Sequence, residues 1–209
     1  MKYIHNYNIF ESVSNNKFFK NKEEIENWLV SQNVGFISGS SKNYTINNDL
    51  TVDIDGNINL NYKNLNFIPI QFGVVTGDFS CSYNNLKNLE GSPFHVKGDF
   101  FCFRNELIDL KGCPKIINGE FDVCNNNIIN LKYFPDLKGN FYFDNNPISI
   151  FLDYRNDRED IFTWIEYLND FNVISGNKIF LEKLKEVLYL LDINNFNFKK
   201  LKKYYTIID

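Results

Sequence analysis

Histidine is scarce in this chain of 209 residues, which contains only His5 and His95. A Ser-His-Asp or Cys-His catalytic site would need one of the two, and neither has a suitably placed nucleophile beside it in the sequence. The HExxH zinc motif and a glycine-rich phosphate loop are missing as well. These absences predict a protein that is not an enzyme and that uses no cofactor. An enzyme that depends on these histidines is the least favoured hypothesis.

Long apolar runs and closely paired cysteines are also missing. No apolar run reaches the ~18 residues that a transmembrane helix needs. The first twelve residues lack the basic-then-apolar order of a signal peptide. The cysteines at positions 81, 102, 113 and 124 form no CxxC pair, which predicts reduced thiols. We therefore expect a cytoplasmic location and no membrane partner.

Basic charge is in short supply. The net charge is −4, and residues 44–151 alone hold eight Lys or Arg against twelve Asp or Glu. Nucleic-acid-binding surfaces are usually basic, so direct nucleic-acid binding is disfavoured for this segment. The hydrophobic fraction of 44% and the aromatic fraction of 17% predict a folded chain rather than a disordered one.

What the sequence does contain is a period of 21 residues between positions 56 and 151. Each unit starts with glycine, and residues at the same offset form columns of similar type. The glycine column is Gly56, Gly77, Gly98, Gly119 and Gly139. Two and four residues later come Ile58, Phe79, Phe100, Phe121 and Phe141, and then Leu60, Cys81, Cys102, Val123 and Phe143. The asparagine column is Asn84, Asn105, Asn126 and Asn146, with Lys63 in the first unit.

A fixed period of this length predicts a solenoid, because no single unit can bury its own apolar face. Each unit should begin as a short strand whose Phe and Cys columns point inward. The asparagines come where the chain leaves the strand, and there their side chains can bond the backbone of adjacent turns. Pro93, Pro114 and Pro135 recur in a segment that we expect to be a loop, with His95 as a solvated residue within it.

These columns resemble the leucine-rich repeat family, whose pattern is L-x-x-L-x-L-x-x-N-x-L. The matching segments are FSCSYNNL at 79–86, FFCFRNEL at 100–107, FDVCNNNI at 121–128 and FYFDNNPI at 141–148. The residues at these positions resemble those of the short, Asn-rich leucine-rich repeat proteins of bacteria and bacteriophages. The resemblance implies an α/β repeat fold with a concave parallel sheet and a binding role. Lys63 and a fourth unit of 20 residues depart from the pattern.

The two ends of the chain differ from the repeats. In the N-terminal segment, 1–43, the sequence predicts a helix over 22–32 that is capped by Asn21 and ends near Gly35. We expect a loop over 36–48 and a strand through Leu50, Val52 and Ile54. Residues 152–209 predict helices over 157–169, 178–191 and about 195–204. We interpret both ends as helical caps of a repeat array over 44–151, and a C-terminal interaction domain is the alternative.

The candidate site is the outward face of the predicted sheet. One column there holds Asp78, Asp99 and Glu120, about 5 Å apart, and the fold offers no evident reason for such repulsion. Phe101 and Phe103 would be exposed aromatic anchors on the same face. The predicted protein-binding residues are Asp78, Asp99, Phe101, Phe103, Glu120, Asp122, Tyr142 and Asp144. The alternative is a polar, merely solvated sheet.

Three other features suggest sites that we rate lower. Cys81 and Cys102 should be neighbours, but inward cysteines are more often core residues than metal ligands, whereas Cys124 should face solvent as the most modifiable thiol. Residues 51–62 partly fit a calcium-binding loop, yet Thr51 and Tyr62 occupy its two key ligand positions. The lysines at 199, 200, 202 and 203 predict a solvated helix face or, less favoured, a site for an anionic partner.

The resulting hypothesis is a non-enzymatic module that binds a partner protein with a basic surface through the concave sheet. A narrower version makes it a phage-encoded inhibitor of a host nucleic-acid-handling or immune factor, acting in the host cytoplasm. That version depends on analogy with the family. The alternative is a structural or assembly protein that self-associates through the solenoid.

Overall fold

The computed structural model describes residues 18–34, 36–37, 41–152 and 158–209. The helices in these ranges are α1 (Lys22–Gln32), α2 (Ser149–Leu152), α3 (Arg158–Asp170), α4 (Leu181–Leu190) and α5 (Phe198–Leu201). The strands before the repeats are β1 (Phe36–Ile37), β2 (Ser41–Lys42), β3 (Tyr44–Ile46) and β4 (Thr51–Ile54). Those of the repeats are β5 (Ile58–Asn59), β6 (Gln71–Val75), β7 (Phe79–Ser80), β8 (His95–Val96), β9 (Phe100–Phe101), β10 (Ile116–Ile117), β11 (Phe121–Asp122), β12 (Asp136–Leu137) and β13 (Phe141–Tyr142). The C-terminal strands are β14 (Ile174–Ser175), β15 (Lys178–Phe180) and β16 (Thr206–Ile208).

The repeats form a β-solenoid, which confirms the predicted stacking of turns. Each turn gives one strand to each of two sheets. Sheet I has six strands in the order β12-β10-β8-β6-β4-β3, and sheet II has five in the order β13-β11-β9-β7-β5. All the pairings in both sheets are parallel except that of β3 with β4.

The prolines at 93, 114 and 135 lie in loop positions, as predicted, but the predicted loop is too long, because the strands of sheet I begin one or two residues after them. His95 lies on β8 rather than in a loop, is half-buried, and has its Nε2 3.4 Å from Asn118 Oδ1. The inward residue of each of these short strands is buried, as Val96 and Ile117 show. A strand of two residues has only one inward side chain, so its alternation is too brief to recognise in a sequence.

The phenylalanine column forms the spine of the core, as predicted. Register pairs each member with the next, from Ile58 to Phe79 and onward to Phe141. The ring centroids of Phe79 and Phe100 lie 5.4 Å apart, and those of Phe100 and Phe121 lie 5.6 Å apart. Burying each ring contributes about 1.5–3 kcal/mol to folding, so the column is a main source of stability.

The asparagine column forms a buried ladder of hydrogen bonds between turns, also as predicted. The Nδ2 of Asn105 donates to the carbonyls of Cys81 at 3.0 Å and Cys102 at 3.1 Å. Its Oδ1 accepts from the amide of Leu86 at 3.0 Å. The other members bond their own and neighbouring turns in the same way. Each side chain therefore satisfies backbone groups that the bend leaves without a sheet partner.

The N-terminal helix matches its prediction at the start and differs at its end. Asn21 caps it, because its Oδ1 accepts from the amide of Glu24 at 2.9 Å. The helix ends at Asn33, whose left-handed φ of 56° stops it before the predicted Gly35, which lies outside the described residues. Ile25 and Leu29 are buried in the core.

The predicted loop over 36–48 is wrong in part, because it contains three strands. β1 pairs with β2, and β3 runs antiparallel to β4 with Tyr44 opposite Ile54 and Ile46 opposite Val52. The abundance of Ser, Gly and Asn in the segment obscures the alternation of Tyr44 and Ile46. β3 therefore covers the first edge of sheet I.

The C-terminal part packs on the last turns of the solenoid. The ring of Trp164 lies 6.1 Å from that of Phe151, and Phe162 lies 5.9 Å from Phe134. The hydroxyl of Tyr205 donates to the carbonyl of Ile129 at 2.9 Å. These contacts cover the apolar residues that the final turn would otherwise expose.

Two of the three predicted C-terminal helices are shorter than expected. The helix expected over 178–191 starts at Leu181, because Lys178–Phe180 form β15 between β14 and β16. The third helix, expected over about 195–204, is limited to Phe198–Leu201. The first, expected over 157–169, corresponds to α3 from Arg158, and residue 157 lies outside the described ranges. Helical spacing alone thus missed the small sheet.

The ladder leads to a stability prediction. We expect Asn105→Leu to lower the free energy of unfolding by about 1–3 kcal/mol, because it leaves the buried amide of Leu86 without an acceptor. It also removes one of the two side-chain bonds to each of the carbonyls of Cys81 and Cys102. Urea unfolding measures the change. The matched control is Asn85→Leu on the exposed surface of the previous turn, expected to change the free energy by less than about 0.5 kcal/mol. Equal losses in the two variants would contradict the role of the ladder.

Candidate functional site on the outer face of sheet II

Three of the eight predicted binding residues lie on the strands of sheet II, and the other five lie within two residues of a strand end. Register places Phe101 beside Asp122, and Asp122 beside Tyr142, on three adjacent strands. Neighbouring strands lie about 4.7–4.9 Å apart, so these three side chains form one row. Phe103 and Asp144 come two residues after Phe101 and Tyr142, just beyond the ends of β9 and β13, and we place them on the same face. We call the surface defined by Phe101, Phe103, Asp122, Tyr142 and Asp144 the sheet II face.

The acidic column is partly structural, contrary to the expectation that the fold has no use for it. Asp78 Oδ1 accepts from the amide of Asp99 at 2.9 Å, and Asp99 Oδ1 accepts from the amide of Glu120 at 2.7 Å. In the first turn Asn57 Oδ1 accepts from the amide of Asp78 at 2.8 Å. Because a neutral asparagine does the same task, the corner requires an acceptor rather than a charge.

The glycine column belongs to the same corner. A Cβ on Gly98 would lie 2.2 Å from Asp78 Oδ1, and a Cβ on Gly119 would lie 2.1 Å from Asp99 Oδ1. No side chain fits there without displacing the carboxylate that holds the next amide. Glycine and acid at consecutive positions therefore make one repeated hydrogen-bonded corner.

Glu120, the last acid of the column, has a different role. Its Oε1 accepts from the hydroxyl of Tyr142 at 3.1 Å and from Asn140 Nδ2 at 3.3 Å. The bond holds Tyr142, which is 40% exposed, on the sheet II face. Glu120 therefore positions an aromatic ring instead of bonding the backbone of the next turn.

Phe101 and Phe103 are half-buried rather than fully exposed. Side chains on adjacent strands are close enough that a large ring is covered in part by its neighbours. Phe103, for example, lies edge-on to Tyr83 with the ring centroids 5.2 Å apart. Both rings still have accessible surface, but less than the sequence suggested.

A second aromatic group was missed by the sequence interpretation. Tyr62 and Tyr83 stack with their ring centroids 4.2 Å apart, and the guanidinium of Arg104 lies over the Tyr83 ring at 5.4 Å. We call these three residues the tyrosine stack. They share one column, and each has a left-handed φ of 53–57°. The one available signal was tyrosine at the same offset in two consecutive units.

The cysteines behave as core residues more than was expected. Cys81, Cys102 and Cys113 are buried free thiols, and burial raises the pKa of each. Cys124 is the most accessible of the four, as predicted. Burial, together with a hydrogen bond to the Asp122 carboxylate, raises the pKa of Cys124 to about 12. Its thiol is therefore protonated near neutral pH, so we expect even this most accessible cysteine to react slowly.

Metal binding finds little support in the described geometry. Within the ranges that the structure describes, no three His, Cys, Asp or Glu residues are grouped so that they could hold a metal ion. The calcium-loop pattern over 51–62 includes strands β4 and β5, and Asp53 Oδ1 on β4 accepts from the amide of Val74 at 2.7 Å. A strand cannot wrap its side chains around an ion as a calcium-binding loop does.

A pocket of about 770 Å³ separates the last turn from α5. Lys200, Lys203 and Tyr204 line one side of it. The Nζ of Lys203 lies over the Tyr204 ring at 4.7 Å. The other side consists of Asn126, Asn127, Asp144, Asn145, Asn146, Pro147, Ser149 and Ile150. Two lysines of the predicted basic cluster therefore face the solenoid, close to an acidic residue of the sheet II face.

Comparisons of this chain with known proteins identify no relative. No protein-family model matches the chain, and it has no match among the curated proteins or the solved structures. No helix in the described part of the chain has both the length and the apolar character that a membrane crossing requires.

The acidic column leads to a second stability prediction. Asp99→Asn should leave the free energy of unfolding within about 0.5 kcal/mol of the original, because its amide oxygen can still accept from Glu120. Asp99→Leu should lower it by about 1–2 kcal/mol, because the amide of Glu120 then loses its acceptor. Urea unfolding of the pair separates the two effects. Equal stability of the Asn and Leu variants would show that the corner bond is dispensable.

The thiols lead to a prediction about reactivity. Iodoacetamide at pH 8 should alkylate Cys124 first but slowly, since little of the thiol is ionised. Asp122→Asn removes the carboxylate that raises the pKa and should speed the reaction roughly 3- to 10-fold. Mass spectrometry of timed samples locates and measures the labelling. Faster labelling of Cys113 than of Cys124 in the folded protein would be inconsistent with this arrangement.

Proposed function

We propose that the protein is a non-enzymatic module that binds a partner protein with a basic surface through the sheet II face. The observation that supports this most is the row of Phe101, Asp122 and Tyr142 on adjacent strands. Along this row an aromatic ring, a carboxylate and a second aromatic ring follow one another at the distance between neighbouring strands. The next row adds Phe103 and Asp144.

The chemistry of the face suits such a partner. Aromatic side chains supply apolar contact area at interfaces, and carboxylates attract a basic surface and orient it during encounter. Asp78 and Asp99 hold backbone amides of the next turn and are assigned to support. Asp122 Oδ1, by contrast, accepts from the amide of Cys124 in its own turn at 2.8 Å. The proposed contact residues are therefore Phe101, Phe103, Glu120, Asp122, Tyr142 and Asp144.

The fold assignment can be extended in the same terms. We propose that the array belongs with leucine-rich repeat proteins, that the sheet II face is its concave side, and that both terminal parts act as caps. The regular spacing of the Phe and Asn columns supports the first statement, and the contacts of Trp164 and Tyr205 support the last. A narrower proposal is that the protein is a phage-encoded inhibitor acting in a host cytoplasm. It is supported only by the resemblance of the Asn-rich repeat sequence to bacteriophage proteins.

The test uses substitutions that the repeats already contain. Ser80 and Ser82 occupy the columns of Phe101 and Phe103, so Phe101→Ser/Phe103→Ser should keep the fold while removing the rings. Asp144→Lys reverses an exposed charge. We expect each variant to weaken partner capture at least 10-fold, because interface aromatics often contribute 2 kcal/mol or more. Affinity capture from a lysate of the source cell, quantified by mass spectrometry, measures the loss.

The control lies on the opposite sheet. Ile116 is half-buried on the outside of sheet I, beside His95, and Ile116→Thr changes an apolar residue there. That variant should capture the same protein as the original chain. Loss of capture by Ile116→Thr, or full capture by the double serine variant, would rule out the sheet II face. Raised salt should release the partner, because its attraction to the carboxylates is screened.

A further inference from the structure

Among the residues that the structure describes, no strand pairs with the outer edge of β5, the first strand of sheet II. Sheet I is terminated by the antiparallel strand β3, which covers β4. Sheet II starts at β5, and β5 pairs with β7 alone among the strands of the described ranges. The two sheets of one solenoid therefore end differently on the same side.

Register identifies the backbone groups that lie at this edge. Ile58 and Leu60 direct their amides at β7, donating to the carbonyls of Asp78 at 2.8 Å and Ser80 at 2.7 Å. Alternate residues of a parallel strand bond alternate neighbours. The amide and carbonyl groups of Asn57 and Asn59 therefore point away from β7, and both residues are exposed. The edge offers donors and acceptors in the spacing of a β-ladder.

The tyrosine stack ends at the same edge. Tyr62 is 68% exposed and covers Tyr83 with one face of its ring. Its other face is directed toward the position of the strand that would precede β5. The column itself shows what a tyrosine ring here accommodates, because Arg104 lies over the second face of Tyr83. A guanidinium placed over Tyr62 would repeat that contact at the start of the stack.

We propose that the β5 edge binds an extended, arginine-containing segment of a partner protein as an additional strand of sheet II. Backbone groups of Asn57 and Asn59 would pair with the segment, and Tyr62 would stack on its arginine. The net charge of −4 over residues 44–151 favours a basic segment over an acidic one. This site uses none of the residues of the sheet II face, so it is tested separately from the proposed function.

The probe is a fluorescein-labelled peptide of ten residues that alternates threonine and valine, with arginine at its seventh position and lysine at both ends. Fluorescence anisotropy measures its dissociation constant. One control peptide replaces the arginine with glutamine. A second control is methylated at alternate backbone amides and so cannot form a ladder. We expect the first control to bind about 3- to 10-fold more weakly and the second to lose binding altogether.

A pair of variants isolates the backbone contact. Asn59→Pro removes an amide that makes no bond to β7, and proline is tolerated at such edge positions. Asn59→Ala removes the same side chain but keeps the amide. We expect the Pro variant to bind the peptide at least 3- to 10-fold more weakly than the Ala variant, which corresponds to the loss of one ladder hydrogen bond. Urea unfolding should show equal stability for the two.

A third variant tests the ring. Tyr62→Asn suits the left-handed φ of 57°, and the same column already holds Asn125 and Asn145. It should weaken the arginine peptide about 3- to 10-fold and leave the glutamine peptide unchanged. The Phe101→Ser/Phe103→Ser variant should bind the peptide like the original chain. Its peptide binding is therefore independent of whether the sheet II face captures a partner.

Three outcomes would overturn the proposal. The first is equal peptide affinity for the Pro and Ala variants. The second is no binding of the arginine peptide at millimolar concentration. The third is a dimer, detected by light scattering, that Asn59→Pro abolishes, since the occupant of the edge would then be a second copy of this chain.

Discussion

The stacking of turns depends on hydrogen bonds that side chains make to the backbone at one or both of two corners in each turn. At one corner Asn105 joins the carbonyls of Cys81 and Cys102 and the amide of Leu86. At the other, Asp99 holds the amide of Glu120. Strands of two residues supply few ladder bonds, and an unpaired buried backbone group costs about 1–3 kcal/mol. Without these side chains, stacking the apolar columns would leave buried backbone groups unpaired, and that free-energy cost would recur in every turn.

This constraint changes how the charge of the surface should be interpreted. Fixed corners keep the register of each strand, and register is what brings Phe101, Asp122 and Tyr142 into one row. The same corners use Asp78 and Asp99 as acceptors, although Asn57 shows that a neutral residue suffices. Part of the negative charge of the repeats therefore comes from carboxylates that bond backbone amides at the corners. The carboxylates left for a partner are those of Asp122, Asp144 and, through its bond to Tyr142, Glu120.

The sequence predicts well where one residue type repeats at one offset. The Phe and Asn columns show this, because their period of 21 residues requires both stacking and a common role. Sheet I is predicted only at β4, through Val52 and Ile54, since each of its two-residue strands buries a single residue such as Val96. The tyrosine stack is missed because a left-handed tyrosine is rarely expected. The half-burial of Phe101 depends on neighbours that only register defines.

The ends of the solenoid extend the same argument to binding. Each end of a repeating fold exposes strand edges and apolar residues to which another turn could be added. Each end must therefore be covered by other residues, protected from pairing, or occupied by a binding partner. At the C-terminal end Trp164 and Tyr205 lie against the last turns, and β3 covers sheet I at the other end. Folded proteins usually protect an open strand with lysine, proline or a bulge, whereas β5 presents neutral Asn57 and Asn59. An edge that is accessible, uncharged and flanked by a tyrosine ring has the properties of a surface that accepts another strand.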